Sequence, residues 1–168
     1  MTKPKYPQLP KLPKNFLTAG LAILTLIVGF FTGSYYTTQK QSSLTTTGTV
    51  TRIIDADNLE LDNKLSVRLY AVSCPEKGER FSDETIAYLK STALNQKVTL
   101  HYQPNYTKDS YGRTLAYVFI NGQHLNEQLI RQGFCTVTTY KKRAKLKYQD
   151  ELIQAQDQAK QEKLGRWQ

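Results

Sequence analysis

At 168 residues the chain has room for one compact domain and a smaller appendage, not for two full domains. It carries 23 Lys and Arg against 14 Asp and Glu, a net charge of +9. From Gln41 onward the balance is 18 against 14, a net +4, so bulk charge alone makes no case for a polyanionic partner.

In chain order, residues 1–15 are a basic leader in which Lys3, Lys5, Lys11 and Lys14 meet no acid. No charge occurs from Asn15 to Gln39, and the run FLTAGLAILTLIVGFF from Phe16 to Phe31 is almost wholly apolar. Extended to Tyr36, it reaches the ~20 residues that a membrane-spanning helix requires. The preceding lysines place the N-terminus on the cytoplasmic side and the rest of the chain across the membrane. A cleaved signal peptide is the competing reading, and it would make the remainder a secreted protein. The following FTGSYYTTQK lacks an A-x-A site and the leader is long and proline-rich, so residues 16–36 are expected to remain as an anchor. Residues 37–47 read as a polar linker.

Residues 48–168 are expected to form one domain. Val50, Arg52 and Ile54 share one face, and Leu59 and Leu61 alternate with Glu60 and Asp62. After an Asp62-Asn63 turn, Leu65, Val67, Leu69 and Ala71 alternate again, which predicts three short antiparallel strands. Ser82, with Asp83 and Glu84 behind it, opens a helix whose inner face holds Ile86, Leu89 and Ala93. Strands are predicted over Val98–Tyr102 and Leu115–Ile120, then a turn at Asn121-Gly122. A short helix over 126–132 ends at Gly133, and CTV returns as an extended segment. Tyr148, Leu152, Ala155 and Ala159 stripe a last amphipathic helix, closed by Gly165 and Trp167. This order predicts an α+β, mainly β, fold: a five-stranded OB-type barrel with about three helices packed outside it, preceded by the transmembrane helix.

Three places carry charge that packing does not require. Asp55 and Asp57 sit two apart in a turn, Arg68 interrupts an apolar strand that runs on to Glu76, and DSYGR ends in Arg113 at a strand mouth. A polar turn accounts for the aspartate pair, and each place alone is a weak signal. Together they supply acids and two arginines at the ends of adjacent strands, which is what phosphodiester hydrolysis needs. An arginine fork holds phosphate oxygens, aspartates bind a hard divalent cation, and a carboxylate such as Glu76 takes a proton from attacking water. Five of the seven residues from Lys141 to Lys147 are basic, between Tyr140 and Tyr148; a solvated face explains this run as well as a binding surface does. His101 and His124 have no neighbours that point to a zinc site or a general base.

From about Gly48 to Trp167 the sequence resembles the staphylococcal nuclease (thermonuclease) family. The match runs through I-D-A-D-N, V-R-L-Y-A-V-S-C-P-E, D-S-Y-G-R-T-L-A-Y-V, L-N-E-Q-L-I-R-Q-G and the closing G-R-W. The resemblance implies an OB-fold nuclease that cleaves DNA and RNA, preferably single-stranded, with calcium as cofactor. Water attacks and the 5′-oxygen leaves, giving products with a 3′-phosphate. Arg68 and Arg113 match the arginines on the scissile phosphate, and Glu76 the general base. Asp57 matches a direct calcium carboxylate and Asp55 an acid holding the ion's water shell. Tyr111 matches the tyrosine beside the substrate, and Tyr140, with Lys141 and Lys142 after it, the loop against a base. A monomer is expected.

The sequence departs from the family pattern inside this set. Ser73 stands where a second calcium Asp is usual and Cys74 where Thr is usual, so both metal positions are altered. A neutral serine hydroxyl predicts weaker calcium binding, whereas Cys74 is tolerated if its backbone carbonyl is the ligand. The turn reads Asp-Ala-Asp-Asn where Asp-Gly-Asp-Thr is usual. The alternative function is therefore a catalytically impaired OB-fold module that binds nucleic acid from the membrane. In the family's fold the segments holding Cys74 and Cys135 run near each other, which implies a disulfide; two unpaired buried thiols are the other reading.

Overall fold

TTTGTVTRIID is rich in β-branched residues, and in the computed structural model it forms one long strand, β1 (Thr45–Asp55). The structure describes residues 45–140 and 144–168, together with Gly29. The chain divides into two units, Met1–Gln41 and Ser42–Gln168, of which the second holds all the strands and helices named below. The span expected over residues 16–36 lies, apart from Gly29, outside the described residues. Among the described residues no helix is long and apolar enough to cross a membrane.

β1 serves two neighbours. Its first half pairs with β5 (Lys97–His101), from Thr45↔His101 to Thr49↔Lys97. Its second half pairs with β2 (Asn58–Leu61), which turns back through β3 (Ser66–Leu69). The switch is possible because position 48 is a glycine: a Cβ there would come within 2.9 Å of Leu61 Cδ1. β6 (Thr114–Ile120) pairs antiparallel with β5 and parallel with β3, closing five strands into a barrel. The interior is filled by Val50, Leu59, Leu61, Val67, Leu69, Leu100 and Tyr117, each at most 1% exposed.

The expected alternation of Val50, Arg52 and Ile54 fails at this strand. Register shifts fall between Val50 and Arg52 and between Ile53 and Asp55. An extra residue in one strand flips every later side chain to the opposite face. Val50 therefore points inward, Arg52 pairs with Glu60 on the surface at 2.8 Å, and Ile53 packs on the core while Ile54 is exposed. β1 also begins at Thr45, so the last three residues expected as linker belong to the sheet.

Three α-helices among the described residues of this unit cover the barrel: α1 (Ser82–Thr92), α2 (Leu125–Arg131) and α3 (Gln149–Gln161). The inner face of α1 is Ser82, Thr85 and Leu89, continued by Ala93, with Ile86 only half-buried. α3 buries Leu152, Ala155 and Ala159, as its stripe predicts. Asn126 of α2 is fully buried; its amide donates to the Tyr70 carbonyl at 2.9 Å and its Oδ1 accepts from Val118 N at 3.0 Å. That cross-link pins α2 to the barrel and gives both ends of the buried amide a partner. The short strands β4 (Val72–Ser73) and β8 (Thr136–Val137) pair beside the barrel, and β7 (Gln123–His124) turns back antiparallel on β6.

Candidate active site

The parallel closure of the barrel decides what meets what. Pairing Val67↔Thr114 and Arg68↔Leu115 brings Arg68 and the approach to Arg113 to the same barrel mouth. The β1–β2 turn, with Asp55, Ala56 and Asp57, lies at that mouth because the Asp57 carbonyl accepts from Leu69 N at 2.8 Å. Together these residues line a cleft of about 550 Å³, with Glu76 and Tyr111 at its rim.

Each arginine in the cleft is held by its own aspartate. Arg68 Nη1 donates to Asp57 Oδ1 at 2.5 Å, and Arg113 Nε donates to Asp109 Oδ2 at 2.7 Å. Asp109 also receives the Tyr111 and Arg113 amides on Oδ1, both at 2.9 Å, so it shapes the turn and aims the guanidinium together. Burial works against ionising Asp109, but the Arg113 guanidinium and those amides hold its carboxyl below the usual range. Arg113 also lies 5.5 Å from the ring centre of Tyr111, which is 85% exposed.

Asp57 is the unusual acid. Burial pushes its carboxyl up to about 7; Arg68 pulls against that shift and Asp55 adds to it. Asp55 Oδ1 accepts from the Asp57 amide at 3.1 Å, so two carboxylates crowd one side of the cleft. Glu76 faces solvent, and its amide donates to Glu79 Oε2 at 2.9 Å, which fixes the backbone but leaves the carboxylate at the rim.

Of the residues singled out in sequence, Asp55, Asp57, Arg68, Cys74, Glu76, Tyr111, Arg113 and Tyr140 all line this cleft. Ser73 is not among the lining residues: it pairs with Thr136 in the β4–β8 ladder and is exposed. Cys74 is bonded to Cys135, so only its backbone can face a ligand. Tyr140 stacks on buried Tyr70, with ring centres 5.9 Å apart and planes at 16°. Lys141 and Lys142 lie outside the described residues. In the later part of their basic run Lys145 and Lys147 are exposed, with Lys145 paired to Asp150 at 2.5 Å, while Leu146 is buried and the Lys147 amide donates to Gln103 Oε1. Tyr106 and Lys108 also line the cleft, and nothing in the sequence marks them beyond their place just before DSYGR.

Comparison with known proteins places this geometry. A family model described as Staphylococcal nuclease homologue matches residues 66–168. The chain is 31% identical to the thermonuclease of Staphylococcus hyicus over 168 residues, covering 94% of this chain and 98% of that protein. It is 30% identical to the thermonuclease of Staphylococcus intermedius with the same coverage. Endonuclease YncB of Bacillus subtilis is 28% identical across 71% of this chain and 60% of its own length.

Proposed function

The chain belongs to the staphylococcal nuclease family, and from that premise we propose that it is a calcium-dependent nuclease hydrolysing DNA and RNA, preferably as single strands. The observation that carries the reading is one cleft holding two arginines, a paired aspartate site and a solvent-facing glutamate. In the proposed reaction the phosphodiester lies between Arg68 and Arg113, whose guanidinium groups neutralise its oxygens as charge builds. A water attacks phosphorus from the Glu76 side and gives its proton to that carboxylate. The P–O5′ bond breaks, the 5′-oxygen takes a proton from solvent, and the phosphate stays on the 3′-oxygen.

The donor set fits a hard cation, weakly. Asp57 is a desolvated carboxylate with one oxygen on Arg68, and Asp55 adds a second negative charge beside it. Asp55, Asp57 and the Cys74 backbone would hold calcium, which when bound polarises the phosphate. No cluster of three or more His, Cys, Asp or Glu that could hold a metal occurs among the described residues, and Ser73 supplies no charge. Few charged ligands predict an affinity near the weak end of calcium sites, ~10⁻⁴–10⁻³ M. Cleavage of single-stranded DNA by the full chain in detergent is therefore expected in millimolar calcium and lost in EDTA. A folded protein that binds DNA but cleaves at no calcium level would instead be the impaired binding module.

The pH dependence comes from Asp57. Its carboxyl must lose a proton before it binds a cation, so the calcium needed for half-maximal cleavage should fall as pH rises from about 6 toward about 8. Without calcium the sign reverses. A carboxyl raised in the folded state stabilises the fold at low pH, and that contribution is lost as pH rises from the ordinary aspartate range through about 7. Calcium titrations with unchanged midpoints across that range would remove Asp57 from the ligand set.

The apolar run and the lysines before it support anchoring through residues 16–36, with the nuclease domain outside the cytoplasm. The Cys74–Cys135 disulfide agrees with an oxidising compartment. Protease added to intact cells should then remove the domain; a fully protected domain would place it inside.

A further inference from the structure

A second groove adjoins the active cleft. Pro75 lines both, and beyond it lies a space of about 430 Å³ between Glu79, Arg80 and Phe81 on one side and Arg166 on the other. Arg80 and Arg166 are exposed, and among the described residues neither pairs with an acid. The acid in the groove, Glu79, has its Oε2 on the Glu76 amide at 2.9 Å. Phe81 stands in the left-handed region at φ 69°, an outlier for a bulky side chain. The Thr85 amide, at 3.0 Å, and its hydroxyl, at 2.6 Å, both donate to the Phe81 carbonyl and hold it there. The Arg80 guanidinium lies 4.6 Å from the centre of the Phe81 ring. Across the groove the Arg166 amide donates to Gly133 O at 2.9 Å, which ties the C-terminal segment next to Cys135 and so to the disulfide beside Pro75.

A half-buried aromatic ring held against its backbone preference, flanked by two arginines without acid partners, has the elements that bind a single strand. A base stacks on the ring and phosphates meet the guanidinium groups. We infer that this groove carries the polynucleotide past the scissile phosphodiester, with Phe81 as a stacking platform and Arg80 and Arg166 as phosphate contacts. The inference rests on the nuclease reading above and extends it: the protein selects polynucleotides over dinucleotides. Continuity through Pro75 and the sign of the charge commit the groove to that occupant. An aromatic residue alone would fit many ligands, but two cations beside it, opening from a phosphodiester site, do not.

The test measures fluorescence anisotropy of labelled octathymidylate and dithymidylate with the full chain in detergent and EDTA, across a salt titration, alongside cleavage in calcium. Wild type is expected to bind the octamer about tenfold or more tightly than the dimer at about 50 mM salt. Arg80→Gln with Arg166→Gln should remove most of that advantage and shrink the salt slope for the octamer by about 1.4, at about 0.7 per phosphate contact. Arg80→Lys with Arg166→Lys should restore the slope. Phe81→Leu should weaken octamer binding about fivefold or more, and circular dichroism checks that each variant is folded. Octamer binding unchanged in the double glutamine variant, or equal losses on dimer and octamer, would overturn the inference. If neither oligonucleotide is cleaved but octamer binding depends on the arginines, the nuclease reading falls and the groove stands. Cleavage of both, with octamer binding indifferent to the arginines, does the reverse.

Discussion

Glu76→Gln is expected to lower cleavage of single-stranded DNA about 10²–10⁴-fold while leaving oligonucleotide affinity within about twofold. The substitution keeps the shape of the side chain and removes its ability to accept a proton. It should not disturb the loop, because Glu79 holds the residue through the Glu76 amide and not through its carboxylate. The loss belongs in kcat, since a proton taken from water is an interaction of the transition state and not of bound substrate. The same fold-change corresponds to about 3–5 kcal/mol of barrier. Among the carboxylates lining the cleft, Asp57 is tied to Arg68 and Asp109 to Arg113, and Asp55 accepts the Asp57 amide. Asp55 and Glu76 both face solvent, but Asp55 spends Oδ1 on the Asp57 amide, whereas the Glu76 carboxylate accepts no hydrogen bond among the described residues. A glutamine variant within about threefold of wild type would move the base elsewhere, with bulk hydroxide as the first alternative.

The parts of the site that lie close in sequence could be read there, and the parts joined by topology could not. DSYGR reads as a turn ending in a displayed arginine, and Asp109 does hold Arg113 four residues later. The pairing of Asp57 with Arg68 across 11 residues was reachable only through the β2–β3 hairpin. The parallel β3–β6 closure joins residues far apart in the chain, such as Val67 and Thr114, and no local periodicity encodes it. Family resemblance implied its consequence, Arg68 and Arg113 on one phosphate, where residue patterns did not. Local rules held in part. Ser82 opens α1 as its sequence predicts, while the residue that caps the helix is Phe81, in a left-handed conformation, and Ser82 Oγ is buried without a partner among the described residues. Ser73 is placed at a metal position by the resemblance alone; it is an exposed residue of β4 and is not among the residues lining the cleft.

Replacing both cysteines, Cys74→Ala with Cys135→Ala, should cost about 4 kcal/mol and lower Tm by roughly 10–20 °C. The magnitude comes from the loop. The bond joins residues 61 apart, so it removes the closure entropy of a long segment from the unfolded chain. Cavity formation adds less, because the deleted atoms are two sulfurs and Cys135 is the only one of the pair fully buried. Wild type reduced with dithiothreitol should therefore match the double variant closely in Tm, and a loss of less than about 2 °C in both would sink the account. The bond also sits two residues before Glu76, where stability and catalysis can be separated. Without it, the Glu76 segment is tied to the β8 region through β4–β8 pairing, the Thr138 amide on Ala71 O at 2.9 Å, and Thr136 Oγ1 on Ser73 O at 3.4 Å. Those contacts all precede Cys74, so the chain from Cys74 to Glu76 loses its nearest fixed point. Cleavage by the reduced protein, measured well below its Tm, should then fall in kcat with little change in binding, because a base misplaced by about 1 Å costs up to ~10²-fold. An unchanged kcat in a fully folded, reduced protein would mean that the Glu76–Glu79 contact alone positions the base, leaving the disulfide a purely structural clamp.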